Sequence, residues 1–238
     1  MKLTLADYQL KAKDWITSRD RSALFMGMGM GKTATVLSGV NDLMLDGLCS
    51  GTLVVAPLRV STLTWPHEVK RWFPSMRVSD LRTAAGMADL RRGRSHIYTI
   101  NYEALPKLAK EYMFNRRKFA FDTVVFDELT RAKNPKSKRM RAFKPYLDKV
   151  PRRIGLTGTP VPNSLLDLWA QVHLLDGGER LGASFAKYRD TYFESDYMGY
   201  KYVARPAPEQ AIYNKLRDLA LTVRASDYLD VPDRKSVV

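Results

Sequence analysis

Five short apolar runs recur along the chain with amphipathic segments between them: SALFM (22–26), TLVVAP (52–57), HIYTIN (96–101), DTVVFDE (122–128) and RRIGLTGT (152–159). Their valines, leucines and isoleucines are continuous instead of alternating with polar residues, the pattern of strands buried on both faces. Buried strands alternating with helices leave few architectures open. They predict an α/β fold, a mostly parallel sheet with helices on both faces. With 238 residues, 45% of them hydrophobic, the chain has apolar material for one sizeable core.

The segments between the runs read as helices. From Thr33 onward, Val36, Val40, Leu43 and Met44 share one face before Gly47 stops the run. In WPHEVKRW, Trp65, Val69 and Trp72 fall at i, i+4 and i+7. That spacing favours core packing for both tryptophans over base stacking. After Asp176 the composition turns aromatic and polar, so residues 1–176 are expected to form the main lobe and 177–238 a helical and hairpin appendage. Tyr197, Met198, Gly199 and Tyr200 can turn the hairpin, and Pro208 and Glu209 can open a helix carrying Ile212, Leu216 and Leu219. Tyr197, Tyr200 and Tyr202, beside Arg189 and Lys201, either stack on bases or pack on their own domain, and the second reading is preferred because apolar area needs cover.

Two constellations carry chemistry. In LFMGMGMGKTATVL, the residues Met28, Gly29, Met30, Gly31, Lys32 and Thr33 lie between a predicted strand and a predicted helix. Glycines there let backbone N–H groups close around phosphate oxygens, the lysine reaches the terminal phosphates and the threonine hydroxyl can ligate Mg²⁺. The strict phosphate-loop pattern has a glycine five positions before Gly31, where this chain has Met26. A glycine-rich strand end without a ligand is the alternative. The second constellation is Asp127 and Glu128, closing the strand VVF. Carboxylates at the C-terminal end of a parallel strand lie on the ligand side of the sheet, where one can hold a metal and the other polarise water. Together the two constellations point to phosphoryl transfer or nucleoside-triphosphate hydrolysis with Mg²⁺.

Charge suggests a polyanion. Lys and Arg outnumber Asp and Glu by 39 to 25, a formal net charge of +14. Ten of these cations (131, 133, 136, 138, 139, 141, 144, 149, 152 and 153) crowd residues 131–153 against the single acid Asp148. Phosphate contacts need such residues; a solvated charged face is the alternative. The lone Cys49 rules out an intrachain disulfide, the three histidines have no zinc-ligand spacing, and no run reaches the length that spans a bilayer. The expected setting is cytoplasmic.

In order along residues 3–193, these motifs resemble the first RecA-like lobe of superfamily 2 helicase-like ATPases of the Swi/Snf branch. LADYQLKAKDWI resembles its opening motif, MGMGKT motif I, LVVAPLRVSTLTWPHEVKRW motif Ia, YTINYEAL motif Ib, VVFDELTRAKNPKSKRMRAFK motif II with its basic extension, and IGLTGTPVPNSLLDLWAQVHLLDGG motif III. The resemblance implies that Gln9 recognises adenine, Lys32 and Thr33 bind the β and γ phosphates and Mg²⁺, Asp127 holds the metal and Glu128 activates water. It implies that Thr157, Gly158 and Thr159 couple nucleotide state to nucleic acid. Duplex DNA, in preference to single strands, would be tracked along its backbone by residues such as Lys133, Asn134, Lys136, Lys138 and Arg139. The sequence departs from the branch at Thr130, where a histidine is usual, and at Met26 and Gly27, where acids are common. The branch also has a second RecA-like lobe supplying arginines; it is expected in cis beyond Val238 or in trans. The short form resembles bacterial or phage members, and no membrane association is expected. A stand-alone nucleic-acid- or partner-binding scaffold, or a small-molecule kinase, are the rival readings.

Overall fold

All five apolar runs are strands in the computed structural model, which describes residues 3–115, 120–132, 137–158, 165–195, 202–204 and 206–228. The chain opens with α1 (Asp7–Thr17), β1 (Arg21–Met26), α2 (Lys32–Leu45) and β2 (Thr52–Ala56). A π-helical turn at Val60–Thr64 leads into α3 (Trp65–Trp72), β3 (Val78–Asp80), α4 (Ala84–Arg92) and β4 (Ile97–Asn101). Next come α5 (Leu105–Asn115), β5 (Thr123–Phe126), α6 (Lys138–Leu147), β6 (Arg152–Thr157) and α7 (Leu165–Asp176). Beyond Asp176 lie α8 (Phe185–Tyr192), β7 (Phe193–Ser195), β8 (Tyr202–Ala204), α9 (Pro206–Leu216) and β9 (Ala220–Val223).

Among the described residues, seven strands form one sheet in the order β3-β4-β2-β5-β6-β1-β9, and each pairing is parallel. Successive side chains of a strand point to opposite faces, so each continuous apolar run feeds two cores. Leu24, Met26, Val54, Val125, Ile154 and Leu156 pack with Ile16 of α1, Val36 and Val40 of α2, and Trp65 and Val69 of α3. On the other face Leu53, Val55, Tyr98, Ile100, Val124 and Phe126 join Leu105 and Leu108 of α5, Phe143 of α6 and Leu168 and Leu175 of α7. Each fully buried aliphatic or phenylalanine side chain contributes about 1.5–3 kcal/mol, so the doubled core is what holds the sheet between its helices.

The two additional sheet strands sit at its edges. β3 reads VSD and β9 reads ALTV, too short and too polar to stand out as buried strands. β9 pairs with β1, from Ala23 opposite Ala220 to Met26 opposite Val223. The stretch set apart as an appendage therefore holds both a strand of the main sheet and a separate antiparallel hairpin, β7 with β8. The hairpin's expected turn at residues 197–200, and Lys201, fall outside the described residues. Tyr202 lies under the Arg189 guanidinium, 4.9 Å from ring centroid to Cζ, and Phe193 is buried. α9 begins at Pro206, two residues earlier than expected, and Leu219 is buried just past its end. No described helix is long and apolar enough to cross a membrane.

Candidate nucleotide site

β5 and β6 lie between β1 and β2 in the sheet, so the segments leaving β1, β6 and β5 emerge side by side at its C-terminal edge. This is the topological switch point at which open α/β sheets bind ligands. After Met26, residues 27–31 turn back into α2, with Gly29 at φ +78° and Gly31 at φ +73°, both left-handed. The unpaired N–H groups of the first turn of this 14-residue helix face the loop. A Cβ added at Gly29 would meet nothing within 4 Å, so the loop is open there.

Lys32 folds over the loop, its Nζ donating to the carbonyls of Met26 at 2.8 Å and Gly27 at 3.0 Å. Burial pushes its pKa down, against the opposing charges of Asp127 and Glu128. Thr33 is half-buried on the first helical turn. Met28 is exposed, whereas the Met30 side chain is buried in the core beneath α1. The expectation that Met30 meets a nucleotide therefore narrows to its backbone alone, because the side chain fills the core. Gln9 is locked against the loop: its Nε2 donates to the Met30 carbonyl at 3.1 Å and its Oε1 accepts from the Ala6 N–H at 2.9 Å. Glycine at position 31 makes room for it, since a Cβ there would lie 2.2 Å from Gln9 Nε2.

Asp127 follows β5 and is buried, and the desolvation raises its pKa. Three interactions oppose the rise: an indole N–H from Trp65, the Glu128 N–H and the charge of Lys32. Trp65 Nε1 donates to Asp127 Oδ2 at 2.9 Å, and the Glu128 N–H donates to Oδ1 at 3.0 Å. The backbone is pinned too, Asp127 N–H to the Val55 carbonyl at 2.8 Å and Tyr102 Oη to the Asp127 carbonyl at 2.9 Å. Glu128 holds φ +54°, the only left-handed non-glycine among the described residues. Such a backbone costs on the order of 1 kcal/mol and turns the chain sharply at the strand end.

β6 delivers the third part. Thr157 is buried and pairs with Phe25. A Cβ at Gly158 would lie 3.8 Å from Lys32 Nζ and 3.6 Å from Met28 Cγ, so the segment leaving β6 touches the phosphate loop. Thr159 lies outside the described residues, as do Lys133, Asn134 and Lys136. Lys138 is exposed at the start of α6, with Arg141 exposed and Lys144 exposed along it; the Arg139 side chain is not among those described. Two cations of the basic run take a structural place instead. Arg153 is buried, donating to the carbonyls of Leu147, Leu174 and Leu175. Arg152 donates to the carbonyls of Ile16 and Arg19. They start a sheet strand, and their position under the helix ends removes them from any phosphate surface.

Trp65 is buried, as its spacing predicts, but the spacing says nothing of Asp127, 62 residues away. The only local signal is that a buried indole N–H needs an acceptor. Trp72 is half-buried, with its Nε1 donating to Glu68 at 2.8 Å and Arg71 over its ring.

Comparison with known proteins agrees with this geometry. Residues 8–220 match the SNF2-related domain. Protein p41 of Acyrthosiphon pisum secondary endosymbiont phage 1 is 34% identical over 228 residues, covering 90% of this chain and 49% of the relative. The ATP-dependent DNA helicase DDM1 of Arabidopsis thaliana is 32% identical over 186 residues, 72% of this chain and 23% of the relative. The chain thus spans about half the length of the phage relative and less of the plant one. Among solved structures, the SWI2/SNF2 ATPase core of Sulfolobus solfataricus in complex with dsDNA superposes with a TM-score of 0.76 at 23% identity, covering 94% of this chain and 45% of that one. The strand order, the phosphate loop beside an acidic strand end and the match over residues 8–220 place this chain in the SNF2-related family of helicase-like ATPases.

Proposed function

We propose that the chain is the ATP-binding lobe of a DNA-dependent ATPase or translocase, acting in the cytoplasm of a bacterial or phage-infected cell. In this reading the RecA-like lobe is built from residues 1–176 together with β9, which completes its sheet beside β1, and the rest of 177–238 carries the appendage. The observation that carries it is the meeting of Lys32, Asp127 and Gly158 at the ends of β1, β5 and β6.

The α2 N-terminus and Lys32 would hold the β and γ phosphates, and Gln9, already fixed against the loop, would meet the adenine. Thr33 and Asp127 offer hard oxygen donors on the two sides of the loop, a donor set that fits Mg²⁺ bound jointly with nucleotide phosphates. When bound, the metal neutralises charge developing between the β and γ phosphates. Glu128, turned out of the strand by its left-handed backbone, would orient the attacking water and accept its proton. Lys32 would offset the growing negative charge. Further positive charge would come from arginines of a second RecA-like lobe, in cis beyond Val238 or in trans; such an arginine is worth about three to five orders of magnitude in rate. The exposed cations of α6 support a duplex DNA backbone as partner, and the Sulfolobus solfataricus core, solved with dsDNA, has the same fold.

Steady-state ATP hydrolysis by residues 1–238, with and without duplex DNA, tests the reading. Weak Mg-ATP binding with slow turnover is expected, both lost in Lys32→Ala, with turnover alone lost in Glu128→Gln. ATP binding unaffected by Lys32→Ala would overturn it in favour of a scaffold that does not use this loop.

A further inference from the structure

We infer that Trp65 is a positioning residue for the metal side of the site, its indole N–H setting the orientation of the Asp127 carboxylate. The inference rests on the nucleotide-site reading above and adds a residue from a different segment to it.

Asp127 is held at four points. Its N–H is bonded to Val55 and its carbonyl to Tyr102, which fix the backbone but leave the side chain free to rotate. Of the two carboxylate oxygens, Oδ1 accepts from the N–H of the very next residue, a bond that turns with the local backbone. Among the described residues, only the 2.9 Å bond from Trp65 to Oδ2 reaches the carboxylate from a separate element. That bond defines the plane of the carboxylate relative to the sheet, and leaves each oxygen with acceptor capacity for a metal or a metal-bound water.

The fold commits Trp65 to this task. The chain leaves β2, the neighbour of β5, and winds through one π-helical turn in which the Trp65 N–H bonds to the Val60 carbonyl. Pro66 then starts α3 at its first turn, and Val69 anchors the helix in the core. The indole is 1% exposed, and a phenylalanine keeps an aromatic ring in that core space while leaving the volume of the smaller fused ring empty. What phenylalanine cannot supply is the N–H. A buried indole and a buried carboxylate each need the other, which makes the pair more than packing.

The test is a double-mutant cycle on binding rather than on turnover, using the full 238-residue chain and a fluorescent N-methylanthraniloyl ATP analogue, with and without Mg²⁺. Trp65→Phe is expected to leave metal-free affinity unchanged and to reduce the gain from Mg²⁺ by about tenfold, the range typical of residues that orient metal ligands. In an Asp127→Asn background the same substitution should have no further effect, because the carboxylate it acts through is gone. A Trp65→Phe protein that keeps the full Mg²⁺ gain while Asp127→Asn loses it overturns the inference and leaves the nucleotide site standing. Equal losses in both backgrounds also overturn it, since that is what a purely structural tryptophan would give. If the Mg²⁺ gain survives Asp127→Asn, the nucleotide-site reading itself fails and the inference falls with it. Should Trp65→Phe not fold, the indole ¹⁵N–H resonance of Trp65 in the unsubstituted protein decides. A shift on adding Mg²⁺ with the nucleotide but not with nucleotide alone supports the inference, and identical spectra overturn it.

Discussion

Among single residues, the phosphate loop separates two glycines that the sequence presents as equivalent. Gly29 and Gly31 are both left-handed, but only Gly31 faces an obstacle, Gln9. Gly29→Ala should cost only backbone strain, about 1 kcal/mol, whereas Gly31→Ala adds to that the loss of the Gln9 bond to Met30, on the order of another 1 kcal/mol. Urea-unfolding midpoints of the two variants check the difference. Cys49 makes a second prediction. Burial pushes its thiol up from an ordinary 9.0 to about 11, while it lies 3.2 Å from the Thr52 hydroxyl. The folded thiol stays neutral where the unfolded one ionises, so its contribution is complete below pH 9 and is lost as pH rises through 9 towards 11. The loss amounts to about 2–3 kcal/mol. Cys49→Ala should flatten that decline in the pH dependence of unfolding. That Lys32 and Asp127 come together was legible in the sequence, because each directly follows an apolar strand or its loop. The bond from Trp65 and the left-handed backbone of Glu128 were not, since one depends on a partner 62 residues away and the other on a backbone angle.

Among the helices and strands, α6 shows why a tally of charges misleads. Arg153 belongs to the same basic run as Lys138, Arg141 and Lys144, yet it caps the C-terminal carbonyls of both α6 and α7 from beneath. Those carbonyls lie where a helix dipole is negative, and a cation there satisfies groups the helix cannot. Arg153→Met should destabilise the fold by on the order of 3 kcal/mol in urea titrations, because several buried acceptors lose their donors. Replacing Lys138, Arg141 and Lys144 together by alanine should leave stability almost unchanged and lower the slope of log affinity for duplex DNA against log salt by about 0.9 for each phosphate no longer neutralised. Retention of the full slope would remove α6 from the DNA surface. The buried strands were legible because they are apolar on both faces. β3 and β9 were not, because an edge strand of three or four residues carries almost no periodicity.

Across the complete fold, the order of strands in space is far from their order in the chain. β1 carries the phosphate loop, yet Arg21 pairs with Arg153 and Ala23 with Ala220. During synthesis, then, the strand that leads into the phosphate loop has neither neighbour until residues 152–157 have left the ribosome, and lacks its second until residues 220–223 appear. Non-local pairings of this kind close slowly, and an unpaired apolar strand is a template for association with other chains. A nascent chain stopped before residue 220 would therefore present the open edge of β1 to its surroundings, and the timing of translation, as much as the chemistry of the loop, would decide when this protein first becomes competent to hold a nucleotide.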